Sequence, residues 1–208
     1  MTLVRPGEPP VARTGPPAPS SPSAPAAGED ERVLLEGVRR GDPGAFDRLV
    51  TRYMRRAYAV AHRLLGNRED AEDLVQDAFL TVLARIGDFD ASRPFSPWFF
   101  RILVNRGLNQ RKARAVRHTD PIPEDAAARA HSPERQAEQA ELRDRLRQAL
   151  DALPERQRVI VELYEMEGFA GPEIAEILEI SDGTVRWHLH EARRALRSAL
   201  AVYDRKGG

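Results

Sequence analysis

The sequence contains no cysteine in its 208 residues. That excludes a disulfide framework, a thiolate nucleophile, thiol redox sensing and any cysteine-ligated metal. Aromatic residues are sparse, at 6% of the chain. No run of about 18 apolar residues occurs, so no membrane insertion is expected. The N-terminus lacks an apolar signal core, so export is not expected and the protein reads as cytoplasmic. Sustained alternation of polar and apolar residues is missing as well, which argues against a sheet. Net charge is lacking too: 32 basic residues balance 32 acidic ones. Among the basic residues lysine is scarce, with Lys112 and Lys206 its representatives.

What the chain does have is helical patterning. Residues 1–28 are rich in Pro, Ala, Ser and Gly and hold almost no large apolar side chain. Such a segment cannot offset its ordering entropy and reads as a disordered tail. Residues 29–118 read as a first helical domain. Val33, Leu34, Leu35 and Val38 make its first apolar stripe. Asp42-Pro43 predicts an N-cap and first-turn proline for a helix carrying Phe46, Leu49, Tyr53, Ala57, Val60 and Leu64. Asn67 predicts the cap of a third helix with Leu74, Val75, Ala78, Phe79 and Val82 inward. Ser96-Pro97 opens a fourth. Residues 119–132, with prolines at 121 and 123, read as an acidic flexible linker. Residues 133–205 read as a second helical domain, with Leu142, Leu146 and Leu150 facing inward along its first helix.

The end of the chain carries the sharpest signal. Ile174, Ala175, Ile177 and Leu178 form one apolar stripe, and Val185, Leu189, Ala192 and Leu196 form the next. A tight turn separates them, with Ser181 or Asp182 as the cap of the second helix. This is the layout of a helix-turn-helix DNA reader. Arg186, Trp187, His188, His190, Arg193, Arg194 and Arg197 fall on outward arcs, and Thr184 sits at the start, where base-reading residues of such helices lie. Arginine forks bond guanine or phosphate bidentately. The competing reading is a solvated basic face. His188 and His190 are two apart on a helix and diverge, so no metal site is expected there.

Two further segments carry chemistry. D-A-E-D-L-V-Q-D, residues 70–77, sets Asp70, Asp73 and Asp77 near one helix face. Three carboxylates suit a divalent cation, as in a nuclease, or a plain solvated face. With Gln76 beside them they better suit a basic protein partner. The stretch from Arg101 to Arg117 holds six basic residues and no acidic one. The overlapping stretch from Pro94 to Arg114 mixes basic residues with aromatics and asparagines, a combination that holds unpaired bases and their backbone. The preceding loop, residues 89–95, is polar at its tip and anchored by Phe89 and Phe95, as a pocket for an extruded base would be. Phe95, Trp98 and Phe99 also read as core, and for Trp98 and Phe99 core is the favoured reading.

Taken in order, G-D-P-G-A-F-D-R-L-V, D-A-E-D-L-V-Q-D-A-F-L, W-F-F-R-I-L-V-N, L-P-E-R-Q-R-V-I-V, E-I-A-E-I-L and G-T-V-R resemble the sigma-70 family of bacterial sigma factors, in its compact extracytoplasmic-function group. The resemblance spans about residues 31–200. It implies an all-α chain with sigma domains 2 and 4 and nothing folded between them. It implies no enzymatic activity and no cofactor, and core RNA polymerase and promoter DNA as partners, with an anti-sigma protein as regulator. A monomer is expected when free. Asp70, Asp73, Gln76 and Asp77 then correspond to polymerase docking. Asp90, Ser92, Arg93, Arg101, Asn105, Arg111 and Lys112 correspond to the −10 element. Thr184, Arg186, Trp187, His188, His190, Arg193 and Arg194 correspond to the −35 surface. Trp187, His188 and Glu191 depart from the family's usual chemistry, and Glu179 stands where glycine is frequent, at a backbone cost. The competing function is a conventional helix-turn-helix regulator acting without polymerase, and a third is a metal-dependent nuclease.

Overall fold

The computed structural model describes residues 30–117 and 133–204. The expected N-terminal tail and the expected linker lie outside the described residues. Eight α-helices and no strand occur among the described residues. The first half holds α1 (Glu31–Arg39), α2 (Pro43–Leu65), α3 (Arg68–Arg85) and α4 (Phe95–Arg117), with a 3-10 turn over Ile86–Asp88. The second holds α5 (Pro133–Asp151), α6 (Glu155–Val161), α7 (Gly171–Leu178) and α8 (Asp182–Asp204).

Local chemistry sets the helix starts. Asp42 Oδ1 accepts the Gly44 N–H at 2.9 Å, and Pro43 occupies the first turn, where no N–H is needed. Asn67 Oδ1 accepts the Asp70 N–H at 2.9 Å and opens α3. Gly66 closes α2 in the left-handed region, with φ 75°. The fourth helix begins at Phe95, one residue ahead of the expected Ser96-Pro97 start.

The predicted stripes of α2 and α3 are buried: Leu49, Ala57, Ala61, Ala71, Ala78 and Val82 are at most 0% exposed. Gly107 lets α4 lie against both helices. A Cβ there would come within 2.9 Å of Leu64 Cδ1 and 3.0 Å of Leu74 Cδ2. Phe95, Phe99 and Phe100 are fully buried in an aromatic cluster, with Phe79 stacked on Phe99 at 4.8 Å between ring centroids. Trp98 is partly buried against Phe89 and Phe95. The reading of Phe95, Trp98 and Phe99 as packing residues therefore holds.

In the second half, Ile174, Ile177, Val185 and Ala192 are 0% exposed, as their stripes predict. The first helix of this half differs from expectation. Leu142 is 47% and Leu146 38% exposed, while Ala149 is buried and Leu150 partly so. Their spacing is helical, but neighbours cover the stripe only toward its C-terminal end. A further difference follows α6. Residues Glu162–Met166 form a π-turn, in which the Glu167 N–H donates to the Glu162 carbonyl at 3.1 Å. A single turn with i→i+5 bonding leaves no period in the sequence.

The two halves do not stand apart. Their buried side chains join into one continuous apolar cluster. Phe169, 1% exposed, packs edge-on to Phe100 of α4 with ring centroids 4.9 Å apart. The sequence predicted two domains and did not predict this seam.

Candidate nucleic-acid interface

The loop ahead of α4 is built as its sequence suggests. Phe89 and Phe95 are buried at 3% and 0% exposure, while residues 90–94 are exposed. Asp90 Oδ1 accepts the Ser92 N–H at 2.9 Å, which shapes the tip and holds the Asp90 carboxyl below the usual range. Arg39 of α1 fastens the loop's base, donating through Nε to the Ile86 carbonyl at 3.2 Å and through its fork to the Phe89 carbonyl. Asn105 is exposed on α4, one turn after Arg101. Lys112 is exposed, and Arg111 is half-buried with Nε 3.6 Å from Glu155. Asp90, Ser92, Arg93, Arg101 and Asn105 thus lie on the loop and the first half of α4, and Arg111 and Lys112 two turns further along that helix.

On α3 the four predicted residues separate. Asp73 and Gln76 are exposed, and Asp73 has no ion pair among the described residues. Asp77 is exposed and lies 3.3 Å from Arg106. Asp70 is different: its side chain is 15% exposed and is bound by Arg114, by Asn67 and, at 3.5 Å, by Gln110. It ties the start of α3 to the end of α4. Leu80 and Leu83, 54% and 43% exposed, extend the outer face of α3 as an apolar strip. Sequence reasoning missed them, although their polar-face position was legible from the stripe they break. The three aspartates of α3 pair with separate cations or none. No cluster of three or more His, Asp or Glu side chains among the described residues is placed to hold a metal ion.

The helix-turn-helix has α7 and α8 as its two helices. The Thr184 N–H donates to Ser181 Oγ at 3.1 Å, so Ser181 caps the reading helix. Glu173 reaches back to the Ala170 N–H at 2.8 Å and closes the start of α7. Glu179 ends α7 at φ 54° and ψ 47°, the left-handed conformation that glycine adopts without cost. Along α8, Arg186, His190, Arg193 and Arg197 line an open cleft of about 350 Å³ with Tyr164, Pro172 and Asp182. Arg193 is held by Glu165 at 2.7 Å and lies over the Tyr164 ring. Trp187 is 57% exposed and meets His188 edge-on at 4.8 Å. His188 is less open than His190: its Nδ1 is buried without a partner, and burial, with the Arg156 charge, pushes its pKa down. Glu191 is neutralised by Arg194 at 2.6 Å, so the acid in the reading helix carries its own cation.

No helix among the described residues is long and apolar enough to cross a membrane.

Known proteins match both halves. Sigma-70 region 2 matches residues 49–117, and Sigma-70, region 4 matches residues 143–196. The RNA polymerase sigma-H factor of Pseudomonas aeruginosa is 32% identical over 182 residues, covering 83% of this chain and 94% of that protein. The ECF RNA polymerase sigma factor SigW of Bacillus subtilis is 32% identical over 176 residues, covering 80% of this chain and 94% of that one. Among solved structures, CnrH in complex with the cytosolic domain of CnrY aligns with a TM-score of 0.61 at 29% identity, covering 83% of this chain and 97% of that one. The sigma factor RpoE in complex with the anti-sigma factor NepR from Bartonella quintana aligns with a TM-score of 0.58 at 27% identity, covering 76% and 97%. Two sigma-70 regions in order, on two helical halves that carry a basic loop-and-helix face and a helix-turn-helix, place this chain in the sigma-70 family, in the extracytoplasmic-function group of RNA polymerase sigma factors.

Proposed function

We propose that this sigma factor docks on core RNA polymerase through the outer face of α3 and directs initiation by reading a promoter at two points. Asp73, Gln76 and Asp77 offer the acidic part of the docking face, and Leu80 and Leu83 the apolar part. Asp70 supports that face from beneath through Arg114. The loop bearing Asp90, Ser92 and Arg93, with Arg101 and Asn105 of α4, captures bases of the −10 element as they leave the stack. Capture offsets unstacking costs of a few kcal/mol per step. Arg111 and Lys112 hold phosphate further along. Thr184, Arg186, Trp187 and His190 face the −35 duplex, with Arg193 and Arg194 on its backbone and His188 on the flank of the helix.

The chain itself catalyses nothing in this reading. Polymerase supplies the chemistry, and the work is done in the cytoplasm. An anti-sigma protein is the expected regulator, as for the structural relatives RpoE with NepR. The observation that carries the proposal is the exposed acidic and apolar face of α3 set on the same bundle as an exposed polar loop and the basic residues of α4. A regulator that acts without polymerase has no use for that pairing. In vitro transcription with core polymerase on fragmented genomic DNA tests it. Promoter-dependent transcripts that vanish without this protein are expected, and their absence on every template would overturn the reading.

A further inference from the structure

Helix α1 lies ahead of the region 2 match, which begins at residue 49, and the two-point reading gives it no part. Its last residue nevertheless reaches the loop that precedes α4. Arg39 crosses 47 residues of sequence to the Ile86 carbonyl, where its Nε donates at 3.2 Å. It crosses 50 to the Phe89 carbonyl, where the same fork donates through Nη2. The two carbonyls bracket the 3-10 turn over Ile86–Asp88, from which the loop leaves. The helix that delivers this guanidinium is itself fixed, because Leu34, Leu35 and Val38 are buried. Arg40, the next residue, points elsewhere and pairs with Glu36 at 3.8 Å.

We propose that Arg39 is a positioning residue for −10 recognition, its fork aiming the Phe89–Asp90 peptide and through it the loop that receives the extruded base. This rests on the assignment of that loop to the −10 element made above. Burial of Phe89 and Phe95 holds the feet of the loop. It fixes where the rings lie and not the direction in which the chain leaves Phe89. That direction is set by the Phe89 ψ of 124°. The Phe89 carbonyl belongs to the planar peptide that carries Asp90, so a guanidinium on its oxygen sets where Asp90 starts. From there local bonds carry the aim to the tip. Asp90 Oδ1 accepts the Ser92 N–H at 2.9 Å, and the Asp90 carbonyl accepts the Arg93 N–H at 3.0 Å. The bonds from Ser92, then the charges of Arg93 and Arg39, hold the Asp90 carboxyl below the usual range and so keep it an acceptor. Arginine suits this place because its rigid fork serves two carbonyls at once, whereas a lysine ammonium is a point charge on a flexible stem. The rings of Phe89, Phe95 and Trp98 pack on one another, so the apolar base of the loop survives loss of the fork. Recognition groups must be held to within about 0.5 Å, so the aim is lost long before the fold is.

The test uses the full chain with core polymerase on a promoter mapped by the transcription assay above, in a series of templates that changes each −10 base in turn. Arg39→Lys keeps the charge and loses the fork, Arg39→Gln loses both, and Arg40→Lys is the control on the same helix. Each variant is also melted and tested for polymerase capture. The parent should prefer one base at the captured position by about tenfold, the size of a single mismatch penalty. Arg39→Lys and Arg39→Gln should both reduce that preference to about twofold, with Tm and polymerase capture as in the parent. Arg40→Lys should match the parent throughout. Preference retained by Arg39→Lys overturns the role of the fork, whether Arg39→Gln loses it or not. Preference lost together with Tm and polymerase capture makes Arg39 a brace of the fold and overturns the proposal. A parent without preference at any −10 base overturns the assignment of the loop, and the positioning with it.

Discussion

Arg101 and Glu179, 78 residues apart in sequence, meet at 3.3 Å across the two halves of the molecule. Glu179 reaches Arg101 from a backbone position with φ 54°, where a side chain is unfavourable. The carboxylate is two-thirds exposed, so the pair adds little to stability by itself. The residue thus carries a backbone cost that its own ion pair barely offsets.

Glu179→Gly separates these effects. Relief of the left-handed strain should stabilise the fold by about 1 kcal/mol, a rise in Tm of about 2–4 °C for a chain of this size. The ion pair with Arg101 is lost at the same time, at little cost. A calorimetric scan checks the outcome, and a drop in Tm would count against the strain argument.

Asp73→Arg combined with Asp77→Arg should cut capture of core polymerase at least tenfold, because reversed charges now face a basic partner. Thermal unfolding should barely change, since both residues are exposed. Asp70→Ala should behave in the opposite way. It leaves Arg114 without its partner, removes one of the bonds the Asn67 amide donates, and should lower stability by about 1–3 kcal/mol, with polymerase capture reduced only through unfolding. Pull-down and melting curves on the two variants distinguish docking from support.

The seam should respond to pH. Glu162 lines a small cleft with Val60, Arg63, Leu64 and Val159, and burial pushes its pKa up to about 7. Arg63 of α2 and Arg111 of α4 oppose that rise, while Asp151 of α5 adds to it. Glu167 lines the same space from the end of the π-turn. Parting the halves returns Glu162 to water and to an ordinary carboxyl pKa. Closure therefore binds a proton, is strongest below about pH 4.5, and weakens as pH rises through about 7. Small-angle scattering on the full chain from pH 5 to about 8 should show the halves opening. Glu162→Gln should flatten the curve, and a curve of unchanged slope would remove Glu162 from the seam's energetics.

In the reading helix, Arg186→Ala should weaken binding to the mapped promoter duplex by about 1–3 kcal/mol and relax preference at one base pair. Arg194→Ala should weaken all duplexes alike and lower the salt slope by about one. Trp187→Ala should leave Tm unaltered, because the ring is 57% exposed, yet change which −35 sequences are bound. Selection from a randomised duplex pool before and after each substitution reads out all three.

Much of the fold was legible because it is local. Asp42, Asn67 and Ser181 each cap a helix with an N–H two or three residues away. The stripes of α2, α3, α7 and α8 repeat at helical spacing and are buried accordingly. Leu142 and Leu146 share that spacing and are exposed, since a stripe says which residues share a face and not whether a neighbour covers it. Asp70 and Asp73 read alike in sequence, and α4 makes them different by bringing Arg114 to one and nothing to the other.

The sequence by itself determined the helical class, the order of the two sigma-70 regions and the outward basic face of α8. Caps and apolar periods act between residues a few positions apart, so neighbours in the chain encode them. Tertiary structure alone decided which arginines are occupied. Arg56 meets Glu167 across 111 residues, and Arg101 meets Glu179 across 78. Pairings of that range exist only once two finished faces come together, and no local spacing records them.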